Sequence, residues 1–536
     1  MRTATAKLAT PAPAATTWRD VCALDDILPD SGVCALVDGR QIAIFHTTSG
    51  VYAIDNADPI GGANVLSRGI VGDIGGELVV ASPLYKQHFN LATGRCLENP
   101  DVAVATHRVR LIEGRVMVER KVVRAPIPLR KRRLVLVGNG MAGMRALEEL
   151  LALAPNRYEI TVFGAEPRGG YNRVLLSSVL GGDKTFDDIA GHDRAWYQSR
   201  GITLHAGDPV TRIDRVRRVV ESAGGVRCEY DRLVLATGSV PVELDVPGSD
   251  LPGVIRFRTV DDVEEMLRVA GGGGHAVVIG GGMLGVEAAS GLLQRGMTVT
   301  IVHRSDTLMN RQLDPEAGRL LRESLEQRGI ACRTGTRTLG FGSNSEGRAA
   351  SVMLDDGSEL RADLVVTALG IRPNIALAAA AELQCGRGIL VDDTMQTFDP
   401  RVYAIGECVQ HRRVTFGLVA PLWEQARVCA THLAELGVSR YRSPLAPAQL
   451  KVTGVSVFSA GDVRGGSGAE SIVLKDPARG IYKRLVLRDN RMQGALLYGD
   501  VSDGAWYCEM MRDGRDVASI REALLFGEAQ ANAGAR

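Results

Sequence analysis

Apolar residues follow two rhythms along this chain of 536 residues. Over about residues 17–122 they come in short runs broken by Gly, Asp and Pro, as in GVCALVDGRQIAIFHT, GVYAIDN, ELVVASPLY and RVRLIEGRVMVE. Such a pattern predicts short strands joined by tight turns, with little helix. From RLVLVGNG onward the rhythm becomes buried strand, glycine loop, apolar-faced helix, strand, and it returns at HAVVIGGG. Unbroken apolar runs before each glycine loop fit strands covered on both faces, so two doubly wound parallel-sheet domains are expected. After about residue 445, SIVLKD, YKRLVLRD and MQGALLYGD read as strands ahead of the helix-like DVASIREALLFG. The fold class expected is therefore multidomain: an N-terminal β domain, two dinucleotide-binding α/β domains, and a small α+β C-terminal domain.

The expected boundaries follow the composition. Residues 1–16 are small and polar and read as a disordered tail; 17–122 form the β domain; 123–130, basic and Pro-containing, form a linker. The first nucleotide domain takes 131–255 and 375–445, the second 256–374, and the C-terminal domain 446–536. A net charge of +1 argues against nucleic acid and anionic membrane as partners, and no apolar run reaches spanning length. With no apolar secretory block near the start, the expected compartment is the cytoplasm. Nine scattered cysteines, none in a C-x-x-C clip, read as reduced thiols without a metal site.

The first glycine loop is Gly138-x-Gly140-x-x-Gly143, between a buried strand and an apolar-patterned helix. The first Gly allows a tight turn, the second lets amides approach a pyrophosphate, and the third lets helix and strand pack closely. The next strand, YEITVFGAE, ends at Glu166, where a carboxylate can accept the hydroxyls of an adenosine ribose. The second loop places Gly280, Gly282 and Gly285 alike, but its following strand ends at His303 and Arg304. His303 reads equally well as a direct contact to the dinucleotide or as a strand-end residue. Arg304 without basic company leans the co-substrate to NADH over NADPH. Two such loops in one chain point to a bound flavin, FAD on the first, and a visiting NAD(P)H on the second.

LATGSVPV, VVTALGIRPN and VYAIGECV resemble the signature segments of two-dinucleotide FAD/NAD(P)H reductases. PRGGYNRVLLSSVL, IVHRSDTLMNRQLD, AIGECVQHRRVTFGLVAPLWEQA and LKVTGVSVFSAGD resemble the large subunit of assimilatory NAD(P)H nitrite reductase. They also resemble the flavoprotein electron-transfer subunit of assimilatory nitrate reductase. That resemblance, over about residues 131–526, implies FAD contacts from Gly138, Gly140, Gly143, Glu166, Arg173, Thr237, Gly238 and Glu407. It implies NAD(P)H contacts from Gly280, Gly282, Gly285 and Gly370, with Glu287 as the catalytic candidate near the meeting of nicotinamide and flavin. The Cys pair of the disulfide reductases is missing, as is the Lys that ferredoxin and rubredoxin reductases usually place near Ser178.

Residues 17–122 resemble the nitrite reductase small subunit, a Rieske-like β fold. Rieske ligands come as C-x-H and C-x-x-H; the matching places hold Asp58 and Ile60, then Ser82 and Tyr85. The expectation is a frame without an iron–sulfur cluster. The chain as a whole reads as an FAD-dependent NAD(P)H oxidoreductase of nitrate assimilation. Its expected partner is the catalytic subunit of a nitrite or nitrate reductase, and a homodimer is left open. Two alternatives stand: a ferredoxin or rubredoxin reductase for another oxidase, and a nucleotide-binding regulatory or assembly subunit.

Overall fold

The structure, a computed structural model, describes residues 17–99, 101–124, 131–436, 439–443, 445–452 and 454–533. The expected tail 1–16 and residues 125–130 of the expected linker lie outside them. Two compact units divide between Lys131 and Arg132.

In the first unit, strands Trp18–Ala23, Arg115–Arg124, Thr106–Ile112, Gly50–Asp55, Arg40–Thr47 and Ser31–Val37 form one antiparallel sheet in that order. Ile70–Ile74, Glu77–Ala81 and His88–Asn90 form a second, smaller sheet. Ala43, Phe45, Ile54, Val80 and Phe89 pack together as one apolar cluster, fully buried. The unit's two apolar clusters draw only on its own residues. A core of its own is what independent folding requires.

The second unit holds two parallel sheets. In one, Arg132–Val137 lies between Tyr158–Gly164 and Arg232–Leu235, with Thr203–Ala206 and Val402–Ala404 at the edges. In the other, His275–Ile279 lies between Thr298–His303 and Leu364–Thr367, with Ile330–Thr334 and Val254–Arg256 outermost. The central strands are buried along nearly their whole length, as their apolar runs require. A ribbon of Ser239–Pro241 paired with Ile371–Pro373 runs beside the cleft described below. No helix among the described residues is long and apolar enough to cross a membrane.

The C-terminal part is a five-stranded antiparallel sheet from Ala448–Val452 to Arg491–Tyr498, backed by helix Gly504–Asp513. It grips one segment of the second parallel-sheet layer. Ser459 Oγ donates to the Gln312 carbonyl at 2.6 Å, Arg464 to that of Asn310, and Lys475 Nζ to Glu316 at 3.0 Å. Asp314, 3% exposed, accepts from Tyr482 Oη at 2.5 Å and Arg484 Nη1 at 3.1 Å while capping helix Pro315–Gln327 through the Ala317 amide. Asp314→Ala removes a cap and strands a partly buried guanidinium. A loss of about 3 kcal/mol is expected, read as a lower denaturation midpoint in urea.

Candidate functional site

Both glycine loops open on one cleft of about 1440 Å³. Each has the same construction. Gly138 sits at φ +111, and a Cβ there would lie 2.1 Å from the Ala236 carbonyl oxygen; Gly280 sits at φ +117, 2.4 Å from that of Ala368. Only glycine tolerates both the torsion and the approach. Gly143 and Gly285 lie under the loops, where a Cβ would strike the carbonyl oxygens of Gly138 and Gly280. At Gly140 and Gly282, by contrast, a Cβ would meet nothing within 4 Å. These two residues begin helices Met141–Leu153 and Met283–Gln294, and neither helix has a side-chain cap. Each helix therefore turns bare amides and its positive end toward open space, a cradle for a pyrophosphate.

Around the first loop, the expected residues form one polar network. Glu166 accepts from Tyr171 Oη at 2.8 Å and Arg173 Nη2 at 2.5 Å. Arg173 also donates to the Arg258 carbonyl at 3.1 Å. The Arg258 guanidinium donates to Glu407 at 2.6 Å and to Ser239 Oγ at 2.7 Å, and Ser239 donates to Glu407 in turn. Thr237 Oγ1 donates to the Asn374 carbonyl at 2.8 Å, and the Asn374 amide returns a bond to Gly238, which clasps the ribbon's two strands. The Gly406 amide donates to Gln425, a fully buried side chain that sets the turn carrying Glu407. Arg258, Asn374 and Gln425 escaped the sequence reading.

Around the second loop, Glu287 and Gly370 line the cleft. Burial pushes the Glu287 carboxyl up to about 7, opposed by a hydrogen bond from the Ser177 hydroxyl. His303 is a brace: its Nδ1 accepts the Gly281 amide at 3.0 Å, and burial lowers its pKa. Arg304 is exposed on the cleft wall, which Arg311 and Arg337 also line, so its basic company is greater than the sequence suggested. The fit to dinucleotides is direct. Bare helix ends face open space, and Asn139 Nδ2 and Arg258 Nε, both in cleft-lining residues, are buried without a hydrogen-bond partner.

In the first unit, the loops at the four Rieske ligand places are joined by a hydrogen bond. Ser82 Oγ donates to Asp58 Oδ2 at 2.5 Å, and both residues are fully buried. Asp58 Oδ1 accepts the amides of Ile60 and Gly61. The Ile60 side chain packs against the apolar cluster. Nearby His88 is bonded to Glu98, and burial pushes the Cys96 thiol up to about 11. Among the described residues, no group of three or more His, Cys, Asp or Glu could hold a metal.

Three family models match the chain: Pyridine nucleotide-disulphide oxidoreductase over residues 132–432, Rieske-like [2Fe-2S] domain over 17–119, and Rubredoxin NAD+ reductase C-terminal domain over 447–515. The second match overturns the expectation of a chain without an iron–sulfur cluster, because the domain matched is of the [2Fe-2S] type. Asp58, Ile60, Ser82 and Tyr85 offer neither thiolate nor imidazole, so the residues at the ligand places do not fit that group, and no electron-transfer step is assigned to them. The chain is 44% identical over 404 residues to nitrite reductase [NAD(P)H] of Bacillus subtilis, covering 75% of this chain and 50% of that protein. It is 40% identical over 397 residues to the assimilatory nitrate reductase electron transfer subunit of the same organism, covering 74% and 51%. It thus spans about half the length of these relatives. A solved ferredoxin reductase from Rhodopseudomonas palustris superposes with a TM-score of 0.65 at 27% identity, over 70% of this chain and 93% of that one. The chain belongs to the pyridine nucleotide-disulphide oxidoreductase family, as an FAD and NAD(P)H oxidoreductase related to nitrite reductase [NAD(P)H].

Proposed function

We propose that this chain oxidises NAD(P)H and passes the electrons to the catalytic subunit of a nitrite or nitrate reductase in the cytoplasm, as part of nitrate assimilation. The observation that carries the reading is the pair of uncapped helix ends on one cleft, each with open space at its middle glycine. Gly138, Gly140, Glu166, Arg173, Thr237, Gly238 and Glu407 would hold FAD, and Gly143 would let its helix pack close. Gly280, Gly282, Gly370 and Arg304 would hold the nicotinamide dinucleotide, with Gly285 in the same packing role and His303 bracing the loop. When bound, FAD supplies uptake of a hydride and release of single electrons. The chain's residues orient: the helix ends fix each pyrophosphate, and the Glu407–Arg258–Ser239 cluster holds one wall of the first half. The nine cysteines are free and none stands in a C-x-x-C pair of the kind that takes two electrons, and a reduced compartment suits them.

The test is reconstitution. NADH or NADPH should bleach the flavin without oxygen, and the reduced protein should reduce a nitrite or nitrate reductase catalytic subunit. Flavin that stays yellow with both nucleotides would remove the enzyme reading. Transfer only to rubredoxin or ferredoxin would favour the second reading, which the C-terminal match to a rubredoxin reductase domain supports. The first unit, with its own core, is assigned to docking. Deleting residues 1–130 should leave NADH–ferricyanide activity nearly intact and weaken delivery to the protein acceptor. Equal loss of both, with falling flavin content, would mean that the unit only stabilises its neighbour.

A further inference from the structure

Glu287 lies one turn into helix Met283–Gln294, past the bare amides at Gly282, and its carboxyl meets the Ser177 hydroxyl. Ser177 stands in helix Leu176–Gly181, which packs on helix Met283–Gln294, and it lines the same cleft. On the functional reading above, a dinucleotide seated at Gly282 and reaching toward the first loop passes this carboxyl with its nicotinamide end. No cation is paired with Glu287 among the residues whose side chains are described. Helix Leu176–Gly181 carries no charged residue.

The other elements packed on this helix carry few ionisable groups. In His275–Ile279, His275 Nε2 lies 2.9 Å from Thr300 Oγ1. In Thr298–His303, His303 accepts the Gly281 amide, and burial lowers its pKa. Ile330–Thr334 carries exposed Arg333 and the buried Cys332 thiol, pushed up to about 11. Ala448–Val452 includes Lys451. Glu287 is the only ionisable residue within its own helix, and Arg295 beyond the helix end donates to the Leu180 and Val179 carbonyls.

We propose that Glu287 couples a proton to the charge of the nicotinamide ring: binding of the oxidised, cationic dinucleotide releases the Glu287 proton to solvent, and binding of the reduced, neutral form does not. Charge and atoms balance, since the carboxylic acid and NAD+ give carboxylate, bound NAD+ and one solvent proton. The physical reason is that a carboxyl taken from water without a counter-charge stays protonated until a cation arrives. Burial already brings Glu287 to about 7, so the exchange falls within the working range of pH. In turnover the ring gains the same charge when its hydride leaves. Ionised Glu287 then retains the product, and a protonated Glu287 lets it go.

The proposal rests on the nucleotide reading and is tested on the flavin-loaded protein by calorimetric binding. NAD+ is the oxidised probe, because a 2′-phosphate would titrate in the same range. The reduced probe is a tetrahydro-NAD that cannot give up a hydride. NAD+ affinity should rise about fivefold from pH 6 to pH 8, the effect of about one pKa unit moved by the bound ring. Proton release should show as a buffer-dependent heat, and the reduced probe should bind equally across the range. Glu287→Gln should bind NAD+ at the low-pH affinity throughout. Ser177→Ala removes the bond that favours the carboxylate, so the midpoint of the profile should move upward. A flat NAD+ profile in the unaltered protein, or the same slope in Glu287→Gln with full flavin content, would overturn the coupling while leaving the nucleotide site standing. Failure of both probes to bind at any pH would overturn the nucleotide reading, and the coupling with it.

Discussion

Gly140→Val is expected to fold and to lose its flavin, with FAD bound about 100-fold more weakly through loss of two charge-assisted hydrogen bonds at about 1.5 kcal/mol each. The backbone at Gly140 is ordinary, at φ −84 and ψ −173, so a side chain there costs no torsional strain. Its Cβ meets no atom of the chain within 4 Å, so the side chain starts in open space and not against a group that folding needs. What they fill is the space in front of the bare helix end, where the pyrophosphate approaches. Gly138→Val is the contrasting case: φ +111 and a carbonyl 2.1 Å away make it a folding lesion. Gly282→Val should spare the flavin and weaken NAD(P)H binding, since Gly282 occupies the same place in the second loop. Flavin absorbance per chain and circular dichroism separate these outcomes. Full flavin in Gly140→Val would move FAD away from the first loop.

Arg258→Met should be the most damaging single change in the polar network. Arg258 and Glu407 are 15% and 16% exposed and 2.6 Å apart. Removing the cation leaves a mostly buried carboxylate with, among the described residues, only Ser239 as donor, a loss of about 3 kcal/mol. Thermal melting with and without added FAD measures it, and FAD should restore little. Arg258→Lys should recover only part, because an ammonium cannot reproduce the guanidinium's fork to Ser239 and Glu407. Pairing Arg258→Met with Glu407→Gln should return much of the loss, since the stranded charge is gone. No loss in the single variant, or no recovery in the double, would mean that the pair does not hold this wall.

The loops were legible because their physics is local. Strand, glycine turn and helix are contiguous, and Glu166 follows by one helix and one strand. Arg258 was not legible: its partner Glu407 is 149 residues away, and nothing near either residue announces the other. His303 was left between two roles because the choice depends on the direction of one ring, and the fold turns that ring onto the Gly281 amide. Arg304 looked isolated because Arg311 comes back to the same wall only further along the same connection, and Arg337 reaches it from another loop. In the first unit the altered ligand residues could be read, but not the Ser82–Asp58 bond between the two loops. The inference from those residues to a cluster-free chain went further than the matched domain type allows.

The grip of the C-terminal sheet on residues 310–316 bears on how such proteins can be recombined. Asn310 and Gln312, whose carbonyls the sheet holds, also line the nucleotide cleft. A chimera joined at residue 446 would cut Ser459, Arg464, Tyr482 and Arg484 away from the segment they were matched to, and its nucleotide kinetics would change although Asn310, Gln312 and both glycine loops had been kept. The inheritable module is the sheet together with residues 310–316, two stretches far apart in the gene and contiguous only in the folded chain.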